Sequence, residues 1–428
     1  MSLWVALLLA TWGAIVSFIG GSRARRDFTA SGERAIYATL ALLAVASVAH
    51  AYALFAHDFS IEYVAGNTSR NLPRIFLATG FWTGREGALL LLALIVAACS
   101  SVVAWRNGRR APTFIPFVSS ILAAILAVIL GAVCAFENPF AKLDWVPPDG
   151  QGMHPGFQSL RAALYLPVLY AGYALAAVPA AFTVAAVLRR AEGAEWLLPA
   201  RRWTVVAWCF VTAGALLGMW QAYADASRVE HWALSAVGNA TLPIWVGMTA
   251  FLHATLSREG KRQRLFAVPL VAMVMLIMVI AGDALAVRTS VSLKSGETAT
   301  VKDPQGRSWT FTSLGLSRYS VLNYQVTAVA LDVSRGGAPE ALVASERRRY
   351  FDSRGAPTFE PWTEAGIRRF WLQDTYVVLE GLRQDGSASV RIAFNPLMRL
   401  FWITGALMLI AGLAIMSPRA TSDSGPET

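Results

Sequence analysis

Residues 217–258 decide the fold class, and they read LGMWQAYADASRVEHWALSAVGNATLPIWVGMTAFLHATLSR. A short loop with tryptophan and histidine precedes an apolar run that contains Asn239 and, near its far end, His253. The run is long enough to cross a bilayer as a helix. Ionisable groups inside a membrane span are costly, so they usually mark a pathway, a cofactor or a buried partner. The stretch therefore predicts a membrane protein and makes His253 a candidate site residue.

The composition of the whole chain extends this prediction. The sequence has 428 residues, of which 55% are hydrophobic and 15% are charged, whereas soluble domains carry roughly 25% charged residues. Apolar runs of bilayer-crossing length recur along the chain. We place them at about 3–20, 36–56, 87–105, 114–136, 164–188, 203–222, 233–256, 265–287 and 397–416. The sequence therefore predicts an all-α polytopic membrane protein with about nine transmembrane helices.

The net charge of +10 would suggest nucleic acid if the basic residues formed one patch. They cluster instead in every second short loop, which is the positive-inside pattern of membrane proteins. The arginines and lysines concerned are Arg23, Arg25, Arg26, Arg34, Arg106, Arg109, Arg110, Arg189, Arg190, Arg201, Arg202, Arg258, Lys261, Arg262 and Arg264. The charge thus indicates a lipid bilayer and no nucleic-acid partner. It places the N-terminus outside the cytoplasm and the C-terminal tail inside.

Residues 288–395 have a different pattern. Their hydrophobic runs are of strand length and alternate, and turn sequences such as DPQG, SRGG and RQDG separate them. We predict an extracytoplasmic β-rich domain inserted before the last helix. The domain organisation is then a transmembrane helical domain at 1–287, the β domain at 288–395, and the last helix with a short tail at 396–428.

The histidines and outer-loop aromatic residues are candidates for ligand binding. His50 and His253 both lie in predicted spans, but their depths differ by on the order of 15 Å, too far for one haem iron to join them. Tryptophans and arginines in the outer loops fit either an interfacial aromatic belt or a platform for a flat, carboxylated aromatic ligand. The sequence has no CxxC pair and no Walker, GxGxxG, HExxH or GxSxG motif, so nucleotide-binding, hydrolase and metalloprotease classes have no support.

An ordered series of motifs resembles the CcmF family of cytochrome c-type biogenesis proteins, which are haem lyase subunits. The loop sequence GFWTGREGALLLL, at 80–92, is similar to the family's W-G-G-x-E-G-S-L-L-L signature. Residues 217–253 align without a gap to the family's tryptophan-rich segment. The other matching motifs are NPF at 138–140, DGQG at 149–152, LYAGYALAAVPAAF at 169–182, TEAGI at 363–367, DTYVVL at 374–379 and FNPL at 394–397.

The resemblance implies cytochrome c maturation in the cell inner membrane. The cofactor would be haem, joined at the outer face to the CxxCH thiols of apocytochrome c. The implied partners are a haem chaperone, an apocytochrome c-binding subunit and apocytochrome c itself. An alternative function is a non-catalytic membrane scaffold or assembly subunit that has lost haem binding.

The resemblance also nominates site residues. His253 occupies the position of one of two transmembrane haem ligands, and Tyr165 occupies that of an outer histidine ligand. A central block of helices that carries another ligand in the family is absent after about Arg264. His154 and His231 lie in outer loops where replacement ligands could sit. The remaining candidates are residues retained from the family motifs: Trp82, Glu86, Trp232, Asn239 and Trp245.

Overall fold

Long helices make up most of the chain up to residue 257. A computed structural model describes residues 1–107, 114–191, 196–226, 236–257, 286–371, 373–396 and 398–416. The helices are α1 Ser2–Ser22, α2 Arg26–Phe55, α3 Glu62–Asn67, α4 Arg74–Thr79, α5 Arg85–Asn107, α6 Ile115–Ala135, α7 Leu160–Leu188, α8 Leu197–Ala226, α9 Ala236–Ser257 and, after the β domain, α10 Met398–Met416. The segments 57–86 and 137–163, which are predicted to lie outside the cytoplasm, are called the first and second outer loops. A 3₁₀ turn, Pro155–Phe157, lies in the second.

Within the described ranges, six helices are long and apolar enough to cross a membrane: α1, α2, α5, α6, α7 and α8. The multi-pass membrane class is thus confirmed. Helices α9 and α10 coincide with the spans expected near 233–256 and 397–416. The span expected at 265–287 lies almost entirely outside the described residues, so the count of about nine stays a prediction.

Glycines allow a close approach between α7 and α8. A Cβ added to Gly172 would lie 2.7 Å from Val211 Cγ2, and one added to Gly214 would lie 2.8 Å from the Cα of Leu169. Small residues at such crossings let two helix backbones pack closely. In a membrane this packing is important, because the hydrophobic effect does not drive helices together there. The two glycines therefore set the position of α8 and of the groups it carries.

The β domain consists of two antiparallel sheets. Its strands are β1 Val287–Leu293, β2 Thr298–Lys302, β3 Ser308–Val321, β4 Tyr324–Arg335, β5 Ala338–Tyr350, β6 Trp362–Glu364, β7 Gly366–Arg369, β8 Gln373–Leu382 and β9 Ala388–Pro396. The sheet orders are β1-β9-β8-β7 and β2-β3-β4-β5-β6. Inward-facing residues of both sheets, among them Trp309, Phe311 and Phe394, form one buried core. This arrangement confirms the predicted β-rich domain and makes it a sandwich.

Asp149 in the second outer loop ties this loop to two other segments. Its Oδ1 accepts the backbone N–H groups of Arg70, at 2.9 Å, and Gly150, at 2.8 Å. Its Oδ2 accepts the backbone N–H of Ser353, which follows β5, at 3.0 Å. Burial disfavours the charged carboxylate, but these bonds outweigh that cost and lower the pKa of Asp149. The DGQG motif is thus a joint between both outer loops and the β domain.

A second joint connects the outer ends of α7 and α8 to the β domain. Arg161 on α7 lies 3.2 Å from a carboxylate oxygen of Glu364 in β6 and 3.8 Å from Asp225 at the end of α8. Nearby, the Tyr223 hydroxyl donates to Asp374 at 3.0 Å. Glu364 and Asp374 belong to the TEAGI and DTYVVL motifs, so both motifs hold the β domain on the helices.

Candidate haem-ligand region

His253 lies on α9 with a defined ring orientation. Its Nδ1 is 2.8 Å from the carbonyl oxygen of Thr249, one turn earlier. A carbonyl can only accept, so Nδ1 carries the proton of the neutral ring and Nε2 keeps the basic lone pair. Metal-ligating histidines commonly donate their other ring N–H to a carbonyl or carboxylate, and this bond fixes the tautomer and the ring orientation. The half-buried His253 is therefore in a tautomer that could hold a metal through Nε2.

Two tryptophans join the helix of His253 to α8. Trp208 on α8 and Trp245 on α9 stack with ring centroids 5.9 Å apart. The Trp208 indole N–H donates to Thr249 Oγ1 at 2.8 Å, and that of Trp245 donates to Thr212 Oγ1 at 2.9 Å. The two helices thus carry the same W-x-x-x-T pattern and exchange one hydrogen bond in each direction. Trp245, a candidate from the sequence, acts here by positioning α9.

Replacing Thr212 and Thr249 by valine together is expected to loosen this contact. Both indole N–H groups lose their acceptors inside the bundle, where interhelical hydrogen bonds each contribute roughly 0.6 kcal/mol. We expect a loss of about 1 kcal/mol in the free energy of unfolding. Thermal unfolding of the detergent-solubilised protein, followed by tryptophan fluorescence, measures it.

The matched control replaces Thr11 and Thr183 by valine. Each of these hydroxyls donates to the carbonyl four residues earlier in its own helix, at 2.9 Å. Their loss is expected to leave the unfolding temperature nearly unchanged. Equal effects in the two double variants would contradict a specific role for the indole bonds.

His154 in the second outer loop has the opposite tautomer. Its Nδ1 accepts the backbone N–H of Gly156 at 3.2 Å, which places the proton of the neutral ring on Nε2. The ring makes edge contacts with Phe157, Phe359 and Trp362, each with centroids less than 6 Å apart. Burial lowers the pKa of His154 below its usual range. Ligation of iron through Nε2 would require this loop bond to break.

The signature loop before α5 is organised around a tyrosine. The Tyr63 hydroxyl donates to the carbonyl oxygen of Gly80 at 2.7 Å and accepts the backbone N–H of Gly84 at 3.0 Å. Glu86 is half-buried in the first turn of α5, where the helix dipole favours a carboxylate. The indole nitrogen of Trp82 is buried without a hydrogen-bond partner in the described part of the chain. The signature residues at these positions therefore have packing roles within the loop and the first turn of α5.

Tyr165 and His50 lie on other helices. Tyr165 is half-buried on α7, one turn beyond Arg161, and interacts electrostatically with Asp225. His50 is fully buried at the outer end of α2 against the rings of Tyr63 and Phe81. Neither has a described contact with His253.

Other candidates lie beyond what the structure describes. His231 and Trp232 are outside the described residues, and for Asn239 only the helical backbone position on α9 is defined. Among the described residues, no group of three or more His, Cys, Asp or Glu side chains could hold a metal ion. Sequence reasoning missed Trp208, Thr212 and Thr249. The repeated W-x-x-x-T spacing was the signal that could have found them.

Comparisons with known proteins agree with this architecture. Residues 82–283 match the Cytochrome C assembly protein family, and residues 284–396 match the CcmF C-terminal beta-sandwich. The chain is 32% identical over 264 residues to the cytochrome c-type biogenesis protein ccl1 of Rhodobacter capsulatus, covering 62% of this chain and 40% of that protein. It is 31% identical over 262 residues to CcmF of Pseudomonas aeruginosa, covering 61% and 40%.

A solved structure named cytochrome c heme lyase CcmF has the same fold. The similarity has a TM-score of 0.68 at 16% identity and covers 97% of each chain. The sequence match spans only about 40% of the length of the curated relatives. Two consecutive family matches and the ordered motifs nevertheless agree, and the chain belongs to the CcmF family of cytochrome c-type biogenesis proteins.

Proposed function

We propose that this chain is a membrane component of a haem lyase complex in cytochrome c maturation, and that His253 is an axial ligand of its haem. One observation carries the proposal: the Nδ1–H bond of His253 to Thr249 favours the neutral tautomer in which Nε2 is the nitrogen through which the ring would hold the haem iron. His253 is also the histidine at a ligand position of the family.

In this proposal, residues of this chain bind and orient the haem. The Thr249 carbonyl holds the proton on Nδ1, and the Trp208–Trp245 contact fixes α9 against α8. Haem, when bound, supplies the macrocycle that is joined to the apocytochrome thiols. His154 is the less suitable ligand because its loop bond favours the other tautomer.

The proposal also includes the orientation of the domains, the membrane and the partners of the chain. The helical unit 1–287 holds the haem, the sandwich 288–395 lies outside the cytoplasm, and the segment 396–428 ends inside. The membrane is the cell inner membrane. A haem chaperone, an apocytochrome c-binding subunit and apocytochrome c are the proposed partners. The basic loops, short and alternate along the chain, support this orientation.

Haem content of purified variants tests the proposal. Protein from haem-replete cells is expected to carry haem, and His253→Asn is expected to lower the haem-to-protein ratio by about tenfold, as measured by pyridine haemochrome. This corresponds to the 10–100-fold losses typical of perturbed metal sites.

His57→Asn is the matched control. His57 also bonds a backbone carbonyl, that of Ser69 at 3.2 Å, but it lies in the first outer loop. Its left-handed backbone, with φ of 52°, is one that asparagine tolerates. The control is expected to keep its haem. A haem spectrum that survives His253→Asn would remove His253 from the site, and wild-type protein without haem would favour the scaffold alternative.

A further inference from the structure

A groove of about 530 Å³ lies where α8, α10 and the β domain meet. Its lower part is apolar, with Leu216 on α8 and Ile403 and Ala406 on α10. Its upper part contains two arginines, Arg369 at the end of β7 and Arg399 at the start of α10. The groove therefore has an apolar floor and a cationic mouth.

The mouth of the groove carries a net positive charge. Arg369 and Arg399 both interact with Asp374, whose Oδ2 accepts the Tyr223 hydroxyl. Two guanidinium groups and one carboxylate leave an excess of one positive charge. Burial raises the pKa of Asp374, while the two arginines act in the opposite direction. The Arg399 guanidinium also lies 4.6 Å above the ring of Trp371, which fixes its direction.

The floor of the groove lies along a membrane-capable helix and includes exposed apolar residues. Helix α8 is one of the six membrane-capable helices, and α10 packs directly along it, since a Cβ on Gly405 would lie 2.7 Å from Leu216 Cδ2. Ile403 is 43% exposed, and Ala406 is also exposed. A membrane around the bundle would bring acyl chains against these residues.

Tryptophans mark the level of the mouth. Trp220 on α8 and Trp402 on α10 both line the groove between its apolar floor and its arginines. Tryptophan is enriched where hydrocarbon meets head groups, because its ring is apolar and its N–H is polar. The arginines thus lie at the depth of a lipid phosphate, and the apolar floor lies at the depth of its acyl chains.

We propose that this groove binds an anionic phospholipid of the outer leaflet, with its phosphate between Arg369 and Arg399 and one acyl chain along Leu216, Ile403 and Ala406. Guanidinium groups match phosphate in charge and geometry. A soluble anion would leave the apolar floor uncovered, whereas a lipid covers both parts. The site is independent of the proposed haem ligand, and its occupant would hold the β domain, α8 and α10 together at one point.

Native mass spectrometry of the full chain tests the site. The protein is reconstituted in vesicles with equal amounts of phosphatidylglycerol and phosphatidylcholine, extracted in mild detergent, and analysed for retained lipid. Wild-type protein is expected to retain phosphatidylglycerol preferentially. The Arg369→Gln and Arg399→Gln double variant is expected to lower that preference on the order of tenfold, because each basic residue near a membrane surface attracts anionic lipid appreciably.

Two further variants separate the possible causes. Ala406→Trp fills the floor, keeps both arginines, and is expected to reduce the retained phosphatidylglycerol. Arg318→Gln with Arg354→Gln removes the same charge from exposed positions of the β domain and is expected to change nothing. Equal retention of both lipids by wild-type protein would overturn the proposal. Unchanged retention of phosphatidylglycerol in the Ala406→Trp variant would also overturn it. So would an arginine double variant that keeps its lipid preference but loses haem.

Discussion

Gly87→Ala is expected to destabilise the outer loop and α5 by about 3 kcal/mol, near the upper end for overpacked sites. A Cβ at this position would lie 1.9 Å from the carbonyl oxygen of Phe81 and 2.6 Å from the Tyr63 hydroxyl. Neither group can withdraw, because the Phe81 oxygen is backbone and the Tyr63 hydroxyl bonds Gly80 and Gly84. Thermal unfolding and size-exclusion profiles of the solubilised protein measure the loss.

Gly131→Ala provides the control for this prediction. Gly131 lies inside α6, and no described heavy atom comes within 4 Å of its would-be Cβ. Alanine favours a helix over glycine by roughly 1 kcal/mol, so this variant is expected to be as stable as wild type or more stable. If Gly87→Ala unfolds at the temperature of Gly131→Ala, the close packing around Tyr63 does not limit stability.

Gly87 also shows what a motif can and cannot reveal. The sequence identified Gly84, Glu86 and Gly87 as signature residues of a family. It did not reveal that Tyr63, from the preceding segment, is the side chain around which the signature folds. The hydrogen bonds of Tyr63 join residues 17 and 21 positions apart, across a segment without clear periodicity. Local patterns predict helices and strands, but they do not encode such a contact.

The β domain was predictable in its long strands. Tyr324–Arg335 and Ala388–Pro396 both have the alternating pattern that the sequence analysis used. Three strands were missed: Val287–Leu293, Trp362–Glu364 and Gly366–Arg369. The last two have only three or four residues, which show no reliable alternation. One of them, Trp362–Glu364, contains the Glu364 that pairs with Arg161, so one of the contacts between the domain and the bundle lies in a missed strand.

The candidate site was predictable only at the level of single residues. His253 could be nominated because it is a histidine in an apolar run at a family position. Its tautomer depends on the Thr249 carbonyl, and the position of its helix depends on the exchange between Trp208 and Trp245. Those indole bonds join residues 41 and 33 positions apart in the sequence. Pairing of this kind requires three-dimensional coordinates.

Asp149→Asn is expected to lower the free energy of unfolding by about 2 kcal/mol, since a hydrogen bond to a charged group contributes roughly 1.5–3 kcal/mol. Asp149 uses both carboxylate oxygens: Oδ1 accepts two backbone N–H groups and Oδ2 accepts that of Ser353. An asparagine retains one oxygen and places an NH₂ group against the third N–H. Faster hydrogen exchange at the amide of Ser353 or Arg70, measured by mass spectrometry, is the expected local result.

The matched control is Asp352→Asn, in the neighbouring turn. Oδ1 of Asp352 alone accepts the N–H groups of Arg354 and Ala356, at 2.9 and 2.8 Å, and the asparagine oxygen can replace it. Stability and exchange at these amides should therefore stay close to wild type. Equal losses in the two variants would show that charge, and not the number of accepting oxygens, determines the effect.

The pH dependence of the same joint has a defined sign. The pKa of Asp149 is lowered on folding, so its carboxylate contributes full stability above the unfolded value near 3.9 and loses it as pH falls through the lower folded value. Wild-type protein should therefore lose its advantage over Asp149→Asn below about pH 4 and keep it unchanged from pH 5 to 8. A difference between the two proteins that showed no decrease between pH 5 and pH 2 would indicate that shape, and not the ionised carboxylate, makes the joint. In that case the three N–H groups would be satisfied by a protonated acid as well as by its anion, contrary to the lowered pKa.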